Sequence, residues 1–298
     1  ALTLYPRPKK TVVFLCHDAA YLDWGIKYQS VIDVWVAHNS WVYNQLVQTL
    51  PAHQERIHFL RFGIKSPRTT KSPIQKNLTI VYLARLHKRK GIHDLIIVDE
   101  HLLEKGLEVN WIVIGDGPEK SLFLSSISDK TNFHWESPEN NDLCMQTASK
   151  GDIFVLPSSL DGTPLALLET MALGLVPVVY DFCPGIHSII SKEIGFITPV
   201  GDTRAVAEHI HFLHSNRHDL ERRGQAASEL IQANFQLNDN NTAYFNLFHT
   251  SIAFRRNKVA QRPALNRLDH PSIPLFIAKL ARLIMKRLRE WRNLSKSF

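Results

Sequence analysis

Short runs rich in Val, Ile and Phe recur along the chain at 11–16, 32–37, 57–62, 78–84, 110–114, 132–135, 152–156, 176–179 and 195–198, with longer segments between them. A strand of this kind is apolar on both faces, so both must be covered, and a parallel sheet flanked by helices does that. The intervening segments 92–103, 142–149, 164–173, 204–213 and 220–234 carry apolar residues at helical spacing, with Gly or Pro at most boundaries. The pattern predicts an α/β protein built from Rossmann-like parallel sheets.

At 298 residues the chain is long enough for two domains. The polar stretch 63–76, with two prolines, separates two strand-rich blocks and reads as an interdomain linker. The expected division is 1–70 for a partial amino-terminal domain with linker, 71–252 for a complete carboxy-terminal domain, and 253–298 for an extension. Three strands are too few for an independent Rossmann-type half, so either the first domain is cut down or the chain begins inside it.

A composition of 44% hydrophobic and 21% charged residues excludes disorder. Cys16, Cys144 and Cys183, odd in number and without CxxC or Cys/His spacing, read as buried or free thiols in a reducing compartment rather than a disulfide frame or zinc site. No apolar run is long enough to span a bilayer, and the first thirty residues lack the apolar region of a signal peptide, so a cytoplasmic location is expected.

Two constellations carry chemistry. Ala84-Arg85-Leu86-His87-Lys88-Arg89-Lys90-Gly91 leaves a strand at its carboxyl end, the edge where open α/β sheets bind ligands. Arg85 and Lys90 there can both face one anion, with a helix N-terminus near Gly91 adding amide dipoles; the alternatives are a solvated basic turn or a nucleic-acid patch. The second runs from Pro157 through Asp161-Gly162-Thr163-Pro164-Leu165 to Glu169 and Gly174. Thr163-Pro164 suits a cap and first turn, and the helix that follows is apolar nearly all round, so Glu169 falls in a buried helix. A buried carboxylate needs donors, supplied either by an internal Arg or Lys or by a ligand with paired hydroxyls such as a ribose. Gly115-Asp116-Gly117-Pro118 is neither a dinucleotide fingerprint nor a P-loop.

In order and spacing, 85–91, 114–119, 152–158, 161–169 and 171–179 resemble the signature blocks of family 4 glycosyltransferases. The resemblance covers roughly 78–251. It implies a GT-B fold and a retaining, metal-independent transfer of a hexose-type sugar from a UDP- or GDP-sugar. Arg85 and Lys90 would hold the diphosphate, Glu169 the ribose hydroxyls, and Asp161 with Gly162 and the amides around Thr163, Pro164 and Leu165 the donor sugar. Val12-Val13-Phe14-Leu15-Cys16-His17 resembles the family's strand ending in a His, which makes His17 a further catalytic candidate facing the sugar across the cleft. Asp161 stands where the family usually has Glu, and Ala84 where Gly is common. The acceptor implied is a glycan or lipid-linked sugar in cell-surface polysaccharide or glycolipid synthesis. The alternative is a noncatalytic nucleotide-sugar-binding or membrane-docking subunit that requires a separate chain.

The formal charge of +7 is unevenly placed. Residues 253–298 hold 12 Lys plus Arg against 2 Asp plus Glu, a balance of +10 that leaves −3 for residues 1–252. Within 271–298, Leu275, Phe276, Leu280, Leu283, Ile284, Leu288 and Trp291 fall at helical spacing, with Lys279, Arg282, Lys286 and Arg289 on another face. That is the pattern of an interfacial helix on an anionic membrane surface, with packing on the protein's own first domain or on a partner as the alternative. A near-neutral body with a cationic tail argues against nucleic acid as a partner and for a peripheral position on the inner face of the cell membrane.

Overall fold

The computed structural model describes residues 11–74 and 76–254. All nine apolar runs contain strands, with ends that differ from the expected ones by at most three residues. In the first block β1 (Val13–Cys16), β2 (Val34–Ala37) and β3 (Ile57–Phe59) form a parallel sheet in that order. Helices α1 (Ala19–Lys27) and α2 (Ser40–Thr49) make the crossovers. Asn39 caps α2, its side-chain oxygen accepting from the Val42 amide at 2.8 Å. Trp35, Ile32 and Leu46 centre the core on one side of the sheet.

The second block holds six parallel strands: β4 (Thr79–Leu83), β5 (Asn110–Ile114), β6 (Phe133–Glu136), β7 (Ile153–Leu156), β8 (Val176–Tyr180) and β9 (Phe196–Thr198). Every residue of β7 and β8 is buried, as strands covered on both faces require. The five helices marked by apolar spacing are present as α3 (Asp94–Glu104), α5 (Asn141–Ala148), α6 (Leu165–Ala172), α7 (Thr203–Ser215) and α8 (Arg217–Asn234). Between α3 and α5 lies the short α4 (Lys120–Ser126), and the described helices end with α9 (Leu237–Ser251). Spacing did not single out α1, α2, α4 or α9: α4 has two turns, and α9 is interrupted by Asn238, Asp239, Asn240 and Asn241.

The spatial order β6-β5-β4-β7-β8-β9 places the first strand of each half side by side. The loops after β4 and β7 therefore diverge from adjacent strands, opening a crevice at their carboxyl ends, where such sheets take ligands.

Two crossings tie the blocks together. The Ile64 amide donates to the Phe235 carbonyl at 2.8 Å, and the Leu237 amide donates to the Ile64 carbonyl at 3.0 Å. Beyond this crossing α9 returns to the first sheet, where Leu247 packs with Val34 and Val36 on the face opposite Trp35. The stretch 63–76 lies against the second block: Lys71 is 3.7 Å from Asp152 and donates to the Gly174 carbonyl at 3.4 Å. Asp152 in turn accepts from the Thr79 amide at 3.0 Å, beneath the sheet. The basic segment 271–298 lies outside the described residues.

Candidate functional site

The loop after β4 does not run straight into a helix. Lys88–Lys90 form a 3₁₀ turn, Gly91 is left-handed with φ 68°, and α3 begins only at Asp94. The expected helix N-terminus at Gly91 is thus replaced by a turn held from below, where the Tyr82 hydroxyl lies 3.3 Å from both the Arg85 and Lys90 carbonyls. A Cβ at Gly91 would sit 2.0 Å from the Pro157 carbonyl oxygen, so only glycine combines this backbone angle with such an approach.

The β7 loop closes onto the same turn. The Ser158 hydroxyl and Ser159 amide both donate to the Arg89 carbonyl, at 3.0 and 2.8 Å. These bonds bring Lys90 to Asp161 across 71 residues, and Lys90 Nζ donates to Asp161 Oδ2 in a direct ion pair. The side chains are 27% and 17% exposed, so the pair is largely withdrawn from water. Arg85 is exposed in the same loop.

After Asp161, Gly162 makes a second close approach. A Cβ there would lie 2.9 Å from the His17 carbonyl oxygen, which places the end of β1 against the β7 loop. His17 is stacked on His38 at 4.8 Å and on Phe62 at 5.7 Å between ring centroids, with Tyr21 edge-on. His38 sits behind it with Nδ1 2.9 Å from the Leu60 carbonyl, and burial pushes its pKa down to about 4. A carbonyl only accepts, so Nδ1 carries the proton of the neutral ring and Nε2 accepts from the Tyr244 hydroxyl at 3.3 Å.

Thr163 does not cap the helix. Pro164 is extended at φ −67°, ψ 122°, α6 begins at Leu165, and no side chain caps it. Its first amides are left for another acceptor. The helix is also less enclosed than its composition suggests: Leu167, Leu168 and Met171 are buried, but Leu165 is 48% exposed.

Glu169 projects from the middle of α6 and is half-buried. Its described hydrogen-bond partner is neither Arg nor Lys: Asn141 Nδ2 donates to Oε1 at 3.0 Å. Burial pushes the carboxyl pKa up and the Asn141 amide pulls it back. Asn141 escaped the sequence reading because a polar residue opening a helix is ordinary; its place after β6, at the ligand edge of the sheet, was the available signal.

Among the described residues no group of three or more His, Cys, Asp or Glu side chains could hold a metal ion, and no helix is long and apolar enough to cross a membrane. The crevice has Arg85 and Lys90 on the β4 loop, Asp161 on the β7 loop and Glu169 on the helix that follows it.

Both loops lie in the part of the chain that known proteins resemble. Residues 67–230, which contain both loops, match the sequence model of the family described as glycosyl transferases group 1. The chain belongs to that family. Among curated members, the putative colanic acid biosynthesis glycosyltransferase WcaL of Escherichia coli K12 is 29% identical over 180 residues, 55% of this chain and 43% of that one. The capsular polysaccharide biosynthesis glycosyltransferase CapM of Staphylococcus aureus is 26% identical over 54% of this chain and 43% of that one. The chain thus spans about two fifths of the length of these relatives.

Among solved structures, the pneumococcal O-GlcNAc transferase GtfA, described in complex with UDP and GlcNAc, superposes with a TM-score of 0.67 at 18% identity, covering 81% of this chain and 53% of that one. Anabaena HepE, in complex with UDP and glucose, gives 0.67 at 16% identity over 80% of this chain and 72% of that one. The chain has the GT-B fold, with a three-stranded first sheet and a six-stranded second one among the described residues.

Proposed function

We propose that this chain carries the donor site of a retaining, family 4 type glycosyltransferase. It moves a hexose-type sugar from a UDP- or GDP-sugar to a glycan or lipid-linked acceptor in cell-surface polysaccharide or glycolipid synthesis. The observation that carries the reading is the Lys90–Asp161 ion pair across the β4/β7 switch point, with Arg85 on the same loop as Lys90 and Glu169 on the helix that follows Asp161. Arg85 and Lys90 take the diphosphate. Its negative charge grows as the bond to the sugar breaks, so cations held there stabilise the transition state more than the bound substrate. Lys90 exchanges Asp161 for phosphate on binding, which frees Asp161 for the sugar hydroxyls near Gly162, Thr163, Pro164 and Leu165. Glu169 accepts from the ribose hydroxyls, and His17 faces the sugar from the first sheet. No protein base or metal has a role in this scheme; the leaving phosphate assists deprotonation of the acceptor. The basic segment 271–298 holds the enzyme to an anionic membrane surface on the cytoplasmic side.

The test is Glu169→Ala. A carboxylate bonded to two hydroxyls contributes roughly 1.5 to 3 kcal/mol per bond, so nucleoside-diphosphate affinity should fall by about 100-fold or more in calorimetry, with an unchanged melting temperature. Unaltered affinity removes the ribose assignment. A second reading, a nucleotide-sugar-binding subunit that acts with a separate chain, is favoured by the three-stranded first sheet, in which β1 pairs on one side with β2 among the described residues. Donor binding without turnover until a second chain is added supports it.

A further inference from the structure

We propose that Asn141 is the positioning residue of the nucleotide site, its amide holding the Glu169 carboxylate so that the second oxygen meets the donor's ribose hydroxyls. The proposal rests on the ribose-binding role of Glu169 given above. Asn141 opens α5, but α5 does not depend on it: Asn140 supplies the cap, its side-chain oxygen accepting from the Leu143 amide at 3.0 Å. The Asn141 side chain instead reaches a helix 28 residues further on, where Nδ2 donates to Glu169 Oε1 at 3.0 Å. A carboxylate on an otherwise apolar helix turns freely unless something holds it. One amide bond on Oε1 leaves the lone pairs of Oε2 to a ligand. At the same terminus Asp142 makes an exposed ion pair with Lys65 at 3.2 Å, just past the crossing between the two blocks.

The same bond controls protonation. Burial favours the neutral Glu169 acid, which has lost most of its capacity to accept, and the amide donor favours the charged form. On α5 the Cys144 thiol, which burial and then the Glu169 charge push up, stays neutral throughout the acid range. Glu136, at the end of β6, is bonded to Thr147 and His134, which hold its carboxyl below the usual range. Asp142 is paired with Lys65. Within this surround Asn141 is the neutral donor whose removal acts on Glu169 directly.

Calorimetric titration of the 298-residue chain with UDP, GDP and ADP, from about pH 5 to about pH 8, tests the proposal on whichever nucleotide binds the parent most tightly. Asn141→Ala should weaken binding about 5- to 30-fold at neutral pH and move the acid limb of the affinity profile to higher pH, because a carboxyl without its donor protonates earlier. Asn141→Asp, of the same shape but adding a like charge, should move that limb further in the same direction. Glu169→Gln should flatten it. A merely structural role lowers affinity or melting temperature without moving the limb. An acid limb that stays in place in both Asn141 variants overturns the proposal. If Glu169→Ala abolishes binding while the Asn141 variants behave as parent, only this inference fails; if Glu169→Ala leaves affinity unchanged, or no nucleotide binds the parent, the ribose assignment falls with it.

Discussion

Replacing Asp161 by Asn should make the protein bind a bare nucleoside diphosphate more tightly while slowing sugar transfer. Lys90 is held by Asp161, with 27% and 17% of the two side chains exposed. A diphosphate has to take Lys90 away from that carboxylate before it gains the cation itself. Asp161 Oδ2 accepts from Lys90 and Oδ1 from the Gly162 amide at 3.2 Å, so asparagine keeps one of the two acceptors, while the bonds of Ser158 and Ser159 to the Arg89 carbonyl do not involve this side chain. What changes is the charge. A hydrogen bond to an ionised partner contributes about 1.5 to 3 kcal/mol and a neutral one about 0.5 to 1.5, so the competition weakens by roughly 1 to 2 kcal/mol. That is about a 5- to 30-fold gain in nucleotide affinity. Loss of the negative charge beside the incoming phosphates acts in the same direction. Titration calorimetry at fixed ionic strength reads the effect, and a parallel transfer assay reads the cost to the sugar subsite. Equal or weaker nucleotide binding in Asp161→Asn refutes the exchange, because it would mean that Lys90 does not leave Asp161 when phosphate arrives.

Two further outcomes follow from the backbone and the buried pair. Gly91→Ala forces a side chain into a left-handed turn and toward the Pro157 carbonyl, 2.0 Å from the position a Cβ would take; a stability loss of roughly 2 to 4 kcal/mol in denaturant melts is expected, with loss of nucleotide binding as the two loops separate. Lys71→Met leaves Asp152 as an unpaired buried charge, which costs about 3 to 5 kcal/mol, whereas adding Asp152→Asn should recover most of the loss; a double variant no better than Lys71→Met contradicts the pairing.

The elements were legible because their causes are local. Fully buried strands have to be apolar throughout, and all nine runs of that kind became strands. Where the cause is not local the reading stopped short. The polar, Asn-rich α9 is a helix because Leu247 finds Val34 and Val36, which lie more than two hundred residues earlier. The site divides in the same way. Lys90, Asp161 and Glu169 stood out as charges where a strand edge or an apolar helix made them costly, but the pairing of Lys90 with Asp161 and the Asn141 partner of Glu169 did not. The cap at Thr163 and the helix start at Gly91 followed from good local rules and were displaced by tertiary demands: Pro164 is extended, and the turn at Gly91 has to pass close to Pro157.

By itself, then, the sequence determined the alternation of strand and helix, the parallel sheets, the family blocks and the residue types at the crevice, because periodicity and the cost of burying charge are written residue by residue. The tertiary structure alone decided that Lys90 pairs with Asp161, that Asn141 rather than a basic residue holds Glu169, and that α9 crosses back to the first sheet. Those contacts join residues from 28 positions apart, at Asn141–Glu169, to more than two hundred apart, at Leu247 on Val34 and Val36. They depend on which strands become neighbours at the switch point, and no local pattern carries that information.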